Sequence, residues 1–95
     1  MTTYKLLFKR DAEIEWRKLD SSIRVQFKKK LIERLSNPRV ESSRLNGLDD
    51  CYKIKLRSAG YRLVYQVRDG QLVVIVVAVG KRERNQVYKL AVKRV

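Results

Sequence analysis

The chain has 95 residues, 23 of them basic and 10 acidic, with no histidine and a single cysteine, Cys51. That length makes one domain, residues 1–95, and the net charge of +13 favours a polyanionic partner, with nucleic acid ahead of membrane. An internal disulfide and the Ser–His and Cys–His catalytic pairs are excluded, no metal or cofactor is expected, and a reducing cytoplasm is the natural compartment.

Tyr4-Lys5-Leu6-Leu7-Phe8 reads as a short first strand, with Tyr4, Leu6 and Phe8 on one face. Asp11 is placed to N-cap a helix through Leu19, and Ala12, Trp16 and Leu19 form its apolar stripe. Asp20-Ser21-Ser22 breaks the chain, and Ser21 or Ser22 can cap a second helix carrying Ile23, Phe27, Leu31 and Leu35 on one side. Asn37-Pro38 ends that helix, because a residue before proline avoids helical angles. The pair predicts an antiparallel helical hairpin lying on a sheet. Arg39 to Asp50 has no clear period and reads as an ordered loop, while Cys51 beside an apolar strand reads as a packing residue.

The second half predicts an antiparallel meander. Arg68-Asp69-Gly70-Gln71 carries the Asp-Gly signal of a two-residue hairpin turn, which sets Val67 opposite Leu72, Tyr65 opposite Val74 and Arg62 opposite Val77. In the preceding hairpin, Lys53, Lys55 and Arg57 share a face with Arg62 only if the loop is even-numbered. A four-residue loop, Ser58 to Tyr61, meets that condition, with Arg57 opposite Arg62 and Lys55 opposite Val64. The other face gathers Tyr52, Ile54, Leu56, Leu63, Tyr65, Val67, Leu72, Val74, Val76 and Ala78 against the helices. Leu72 to Val79 is apolar on both faces, as in a central strand, and far shorter than the roughly 20 residues of a membrane-spanning helix. A terminal helix follows from about Glu83 to Lys93, with Arg84 and Tyr88 as i, i+4 neighbours. The expected fold is α+β: a four-stranded, mainly antiparallel sheet with an N-terminal helical hairpin on one face and a short C-terminal helix.

Charge is concentrated after Cys51, where eleven basic residues face only Asp69 and Glu83. The predicted registers bring Lys53, Lys55, Arg62, Arg82 and Tyr88 to one concave side. Cleavage of RNA by its own 2′-hydroxyl requires removal of a proton, stabilisation of a phosphorane, and protonation of the departing 5′-oxygen. With no histidine, any proton carrier in this cluster is Lys or Tyr. Such groups begin near pKa 10 in water, and crowded positive charge favours their deprotonated forms. Arginines beside the phosphorane supply electrostatic stabilisation. Taken singly, each element has a plainer reading: a solvated strand face, a charge run at a helix start, a core-edge aromatic. Lys28-Lys29-Lys30 reads as a solvated face, with phosphate-backbone contacts as the lesser alternative. A noncatalytic nucleic-acid binder therefore stays open beside a nuclease.

Six segments together resemble one known family. They are Glu15-Trp16-Arg17-Lys18-Leu19, Phe27-Lys28-Lys29-Lys30-Leu31, Asn37-Pro38-Arg39, Cys51-Tyr52-Lys53-Ile54-Lys55-Leu56-Arg57, Gly60-Tyr61-Arg62-Leu63-Val64-Tyr65 and Val79-Gly80-Lys81-Arg82-Glu83-Arg84. In this order the chain resembles the RelE toxins of bacterial toxin–antitoxin pairs over essentially its whole length. The superfamily also holds ParE-like toxins, which share the fold and poison DNA gyrase; the retained cations favour the ribonuclease branch. The resemblance implies a fold related to microbial ribonucleases, and cleavage of mRNA in the A site of the 70S ribosome, leaving a 2′,3′-cyclic phosphate and a 5′-hydroxyl. It implies catalytic roles for Lys53, Lys55, Arg62, Arg82 and Tyr88, with Lys55 or Tyr88 as base. It further implies RNA or ribosome contacts from Arg44, Arg57, Lys81, Arg84, Lys28, Lys29 and Lys30. Family members can carry a basic residue where this chain has Asn46, so an RNA-phosphate contact there is either missing or supplied by Arg44. The implied partner is a RelB-like antitoxin, with operator DNA bound only through the antitoxin complex.

Overall fold

A computed structural model describes residues 3–81, Glu83 and residues 86–95. Four strands, β1 (Lys5–Phe8), β2 (Cys51–Leu56), β3 (Tyr61–Arg68) and β4 (Val73–Lys81), form one sheet in the order β1-β4-β3-β2. β2, β3 and β4 are antiparallel neighbours, while β1 runs parallel to β4, so the sheet is mixed. Helices α1 (Arg10–Arg17) and α2 (Ser21–Ser36) pack on one face, and α3 (Gln86–Arg94) packs on the other.

The helix faces follow the apolar periodicity. Ala12, Leu19, Ile23, Phe27 and Leu31 are buried against Tyr52, Ile54, Leu56, Leu63, Tyr65 and Val67 of the sheet. The helix starts differ from expectation by one or two residues: Lys9 and Asp20 occupy the N-cap positions, and neither makes a side-chain capping bond. Asp11 instead sits in the first turn of α1, where a carboxylate faces the positive end of the helix dipole.

Both expected hairpin registers are corrected. Between β2 and β3, Leu56 pairs with Tyr61, Lys55 with Arg62 and Lys53 with Val64. The loop has four residues, but it is Arg57–Gly60, with Gly60 at φ +71° and its N–H donating to the Leu56 carbonyl. A slip of two residues keeps every side chain on its expected face, so Arg57 lies in the turn while Lys55 stands opposite Arg62. The β3–β4 connection is not a two-residue Asp-Gly turn. Arg68 pairs with Val73, residues Asp69–Gln71 form a 3-10 turn, and Leu72 takes a left-handed conformation at φ 55° with its side chain exposed.

A register shift then occurs in the same ladder. Val64 pairs with Ala78 but Tyr65 pairs with Val76, so Val77 is an extra residue in β4. The bulge exchanges the faces of the strand beyond it. Val74, Val76 and Val79 join the α1–α2 core, whereas Ala78, expected there, joins Val77, Val64 and Cys51 beneath α3.

Cys51 is fully buried, and burial, with Asp50 and Asp49 adding, pushes its thiol up to about 11. At pH 8 the thiolate fraction in the folded state is then on the order of 0.001. Alkylation of the native protein at pH 8 is expected to be limited by opening of the fold, and to become fast in denaturant. Native labelling as fast as that of the denatured chain would show Cys51 to be accessible.

Candidate ribonuclease site

Strand alternation places Lys53 and Lys55 of β2, and Arg62 of β3, on the face that carries α3. All three are half-buried. Lys55 and Arg62 are directly paired across the ladder, beside a cavity of about 250 Å³ lined by Lys55, Leu56, Arg57, Gly60, Tyr61 and Arg62. Arg62 also pairs with Gly80, and Tyr61 with Lys81, so the exposed Lys81 leaves the sheet beside this cavity.

The aromatic component comes from α3. Val87 and Ala91 are buried against the sheet, and a Cβ at Gly80 would lie 3.2 Å from Val87 Cγ2, so glycine lets the helix sit close. Tyr88 then lies beneath Arg62, whose guanidinium carbon is 5.1 Å from the ring centroid, a cation–π arrangement. The Tyr88 hydroxyl is buried and has no hydrogen-bond partner among the described residues. A buried hydroxyl without a partner costs about 1–3 kcal/mol, which is unusual outside a functional site. Because this oxygen is shielded from solvent, contact with a substrate requires the side chains covering it to part.

The C-terminal end of α3 is clamped. Arg94 donates to both carboxylate oxygens of Glu15 on α1, at 2.8 and 3.0 Å, and to the carbonyl of Val77 at 3.0 Å. Glu15 also accepts the Val79 N–H at 3.1 Å. β1 accompanies β4 only to Val76, so this ion pair satisfies the strand edge where the parallel ladder stops. The bond to Glu15 holds the Arg94 guanidinium protonated more firmly than in water.

A second cleft wraps around the outer edge of β2. It has a volume of about 450 Å³ and includes Lys30, Arg34, Ser43, Lys53, Lys55 and Arg57 in its lining. Arg34 donates to Tyr65 Oη at 2.8 Å and Ser43 Oγ at 3.2 Å, and approaches the Lys53 carbonyl at 3.5 Å. Tyr65 in turn donates to the Pro38 carbonyl at 2.7 Å. Neither cavity lining contains a carboxylate.

The sequence-derived candidates therefore divide into groups. Lys53, Lys55, Arg62 and Tyr88 converge, with Lys81 and Arg57 exposed at the same end of the sheet. Arg82 and Arg84 lie outside the described residues. Arg44 is exposed and bridges to Tyr52, four positions along β2 from Leu56 and so roughly 13 Å from the hairpin turn. Lys28, Lys29 and Lys30 are exposed on α2, and only Lys30 reaches the second cleft. The expected register missed Arg34, Ser42 and Ser43. Helical spacing could have found Arg34, which lies one turn after Lys30.

With this geometry in place, residues 6–86 match a family model described as the ParE toxin of type II toxin–antitoxin systems, parDE. The chain belongs to this toxin family. A finer assignment comes from its relatives, which are RelE proteins. It is 61% identical to the mRNA interferase toxin RelE of Escherichia coli K12 over 97% of each chain. Its fold superposes on a double arginine-to-alanine mutant of E. coli RelE in the free state, with a TM-score of 0.91, 58% identity and 98% of both chains covered. It also matches the toxin in the intact E. coli RelBE toxin–antitoxin complex, with a TM-score of 0.82, 60% identity, and 85% of this chain and 99% of that one covered.

Proposed function

We propose that the protein is a ribosome-dependent mRNA interferase, cutting messages in the A site and neutralised by a RelB-like antitoxin. The observation that carries this reading is that Lys53, Lys55 and Arg62 share one sheet face beside cavities whose linings lack carboxylates, with Tyr88 packed against Arg62, in a chain so similar to RelE. The 2′-oxygen gives its proton to Lys55 or Tyr88 and attacks the adjacent phosphorus. Lys53, Arg62 and Arg82 neutralise the charge that develops on the phosphorane oxygens, where fixed cations are worth most. The P–O5′ bond then breaks, and the departing 5′-oxygen takes a proton from a lysine ammonium of the cluster or from water, leaving a 2′,3′-cyclic phosphate and a 5′-hydroxyl. Arg82 serves as a charge stabiliser, because a guanidinium, which stays protonated throughout the physiological range, is a poor proton donor. Action on ribosomes places the protein in the cytoplasm, and among the described residues no helix is long and apolar enough to cross a membrane.

The ribosome matters because these groups begin far from neutral pKa and have weak acid–base power on a mobile strand. Holding the 2′-oxygen in line with the 5′-oxygen can lower the barrier by several kcal/mol, roughly 7 or more in favourable cases. The test compares purified protein on naked message with the same message on ribosomes whose A site is empty. Discrete cuts within the A-site codon, at least about a thousandfold faster on ribosomes, are expected. Equal rates on naked and programmed message would overturn ribosome dependence. An intact message with inhibited DNA supercoiling would favour the gyrase-directed reading, which the ParE family match keeps in view.

A further inference from the structure

Arg34 has an electrostatic setting unlike those of Arg39 and Arg94. Arg39 holds Asp50 and Asp69, and Arg94 holds Glu15. The half-buried Arg34 directs all three of its hydrogen bonds to neutral oxygens, and among the described residues none of the ion pairs includes it. Arg24 also binds only neutral oxygens, but those are the Arg17 and Leu19 carbonyls at the end of α1, where a cation caps the helix. Arg34 has no such helix end to serve. A partly desolvated cation ordinarily has a counter-charge, and withdrawing one without compensation is costly.

What surrounds Arg34 is further positive charge. Lys30 stands one turn earlier on α2, and Lys53, Lys55 and Arg57 line the same cleft. The guanidinium is held in place by Tyr65 and Ser43, and Tyr65 is itself fixed by the Pro38 carbonyl, so the group is oriented before any ligand arrives. Lys55 and Arg57 line both this cleft and the cavity beside Arg62. One continuous groove therefore runs from Arg62, which covers the Tyr88 ring, around the edge of β2 to Arg34.

We infer that the cleft between α2 and the edge of β2 is a second phosphate subsite, in which Arg34 binds a phosphodiester flanking the one that is cut. This rests on the ribonuclease reading above, and gives the groove two anchoring points on the same RNA strand. A phosphodiester supplies the missing counter-charge and accepts charge-assisted hydrogen bonds from Arg34 and Lys30. Two anchored phosphates fix the direction and register of the nucleotide between them.

The test uses synthetic messages on ribosomes, each with a single neutral methylphosphonate at one position flanking the cut. One such replacement is expected to slow the parent about tenfold, as for loss of one charged hydrogen bond. Arg34→Met should cut the unmodified message about tenfold more slowly and respond less than twofold to that same replacement. Full additivity of the two losses, or indifference of the parent to every flanking replacement, overturns the subsite. If Arg34→Met lacks a cooperative melt, Arg34→Gln takes its place, retaining polar reach toward Tyr65 and Ser43 without the charge. A readout without catalysis is binding of a short 2′-deoxy oligonucleotide to the isolated protein across a salt series. Removing one phosphate contact should reduce the log–log slope by about 0.7, and an unchanged slope counts against the subsite whether or not any message is cut. Failure of the parent to cut unmodified message on ribosomes sinks the ribonuclease reading instead.

Discussion

Tyr88→Phe is expected to cut cleavage by a hundredfold or more while leaving the melting temperature unchanged or raised. The two effects have opposite signs because they come from different atoms. The ring stays, so its packing and the contact with Arg62 at 5.1 Å survive. The hydroxyl, buried without a partner among the described residues, contributes nothing favourable to the free protein, and removing it relieves a desolvation cost of about 1–3 kcal/mol. In the reaction the same hydroxyl can carry or orient the 2′-proton, a role worth roughly 10²–10⁴ in rate. Single-turnover rates on programmed ribosomes and thermal melts should be measured on one preparation. Activity near the parent's would return Tyr88 to a packing role. A lowered melting temperature would mean that its hydroxyl has a partner in solution.

The largest loss of stability is expected from Glu15→Ala. This change removes both carboxylate acceptors of the Arg94 guanidinium, leaving it the Val77 carbonyl, together with the acceptor for Val79 N–H. The two side chains are only 17% and 23% exposed, so water replaces the lost bonds poorly. Breaking one partner of such a pair costs about 3 kcal/mol, or roughly 15 °C in melting temperature for a domain of this size. Replacing both members with leucine should recover most of the loss, since an apolar pair leaves no stranded charge. A cost below about 1 kcal/mol for Glu15→Ala would show that the clamp is solvated and does not hold α3.

How much of this was legible in the sequence depended on whether period or turn chemistry carried the signal. Apolar spacing placed α1 and α2 on the sheet, and strand alternation put Lys53, Lys55 and Arg62 on one face. Alternation survives a two-residue slip, so the site assembled even though the expected pairing of Arg57 with Arg62 was wrong. Turn geometry was harder to read. Asp69-Gly70 looked like a primed two-residue turn, but the chain bends over four residues and uses Leu72, not glycine, in the left-handed position. The extra residue in β4 has no sequence marker at all, because Val77 is one apolar residue within an apolar run. Ala78 was therefore assigned to the wrong face. Arg34 is a different case: helical spacing puts it one turn after Lys30, but its place in a cleft depends on where α2 meets the edge of β2, a tertiary relation.

The parallel pairing of β1 with β4 imposes an order of events on synthesis. Residues 5–8 pair with residues 73–76, and Lys5 N–H also donates to the Leu72 carbonyl, a separation that makes closure of the sheet a late, non-local step. The nascent chain passes through a long interval in which β1 is unpaired, and Tyr88 is translated only after β4. Because chains emerge at about 5–20 residues per second, that interval lasts several seconds. A growing chain cannot assemble its groove while most of the sheet is still being made, so β4 and α3 complete the fold and the groove together.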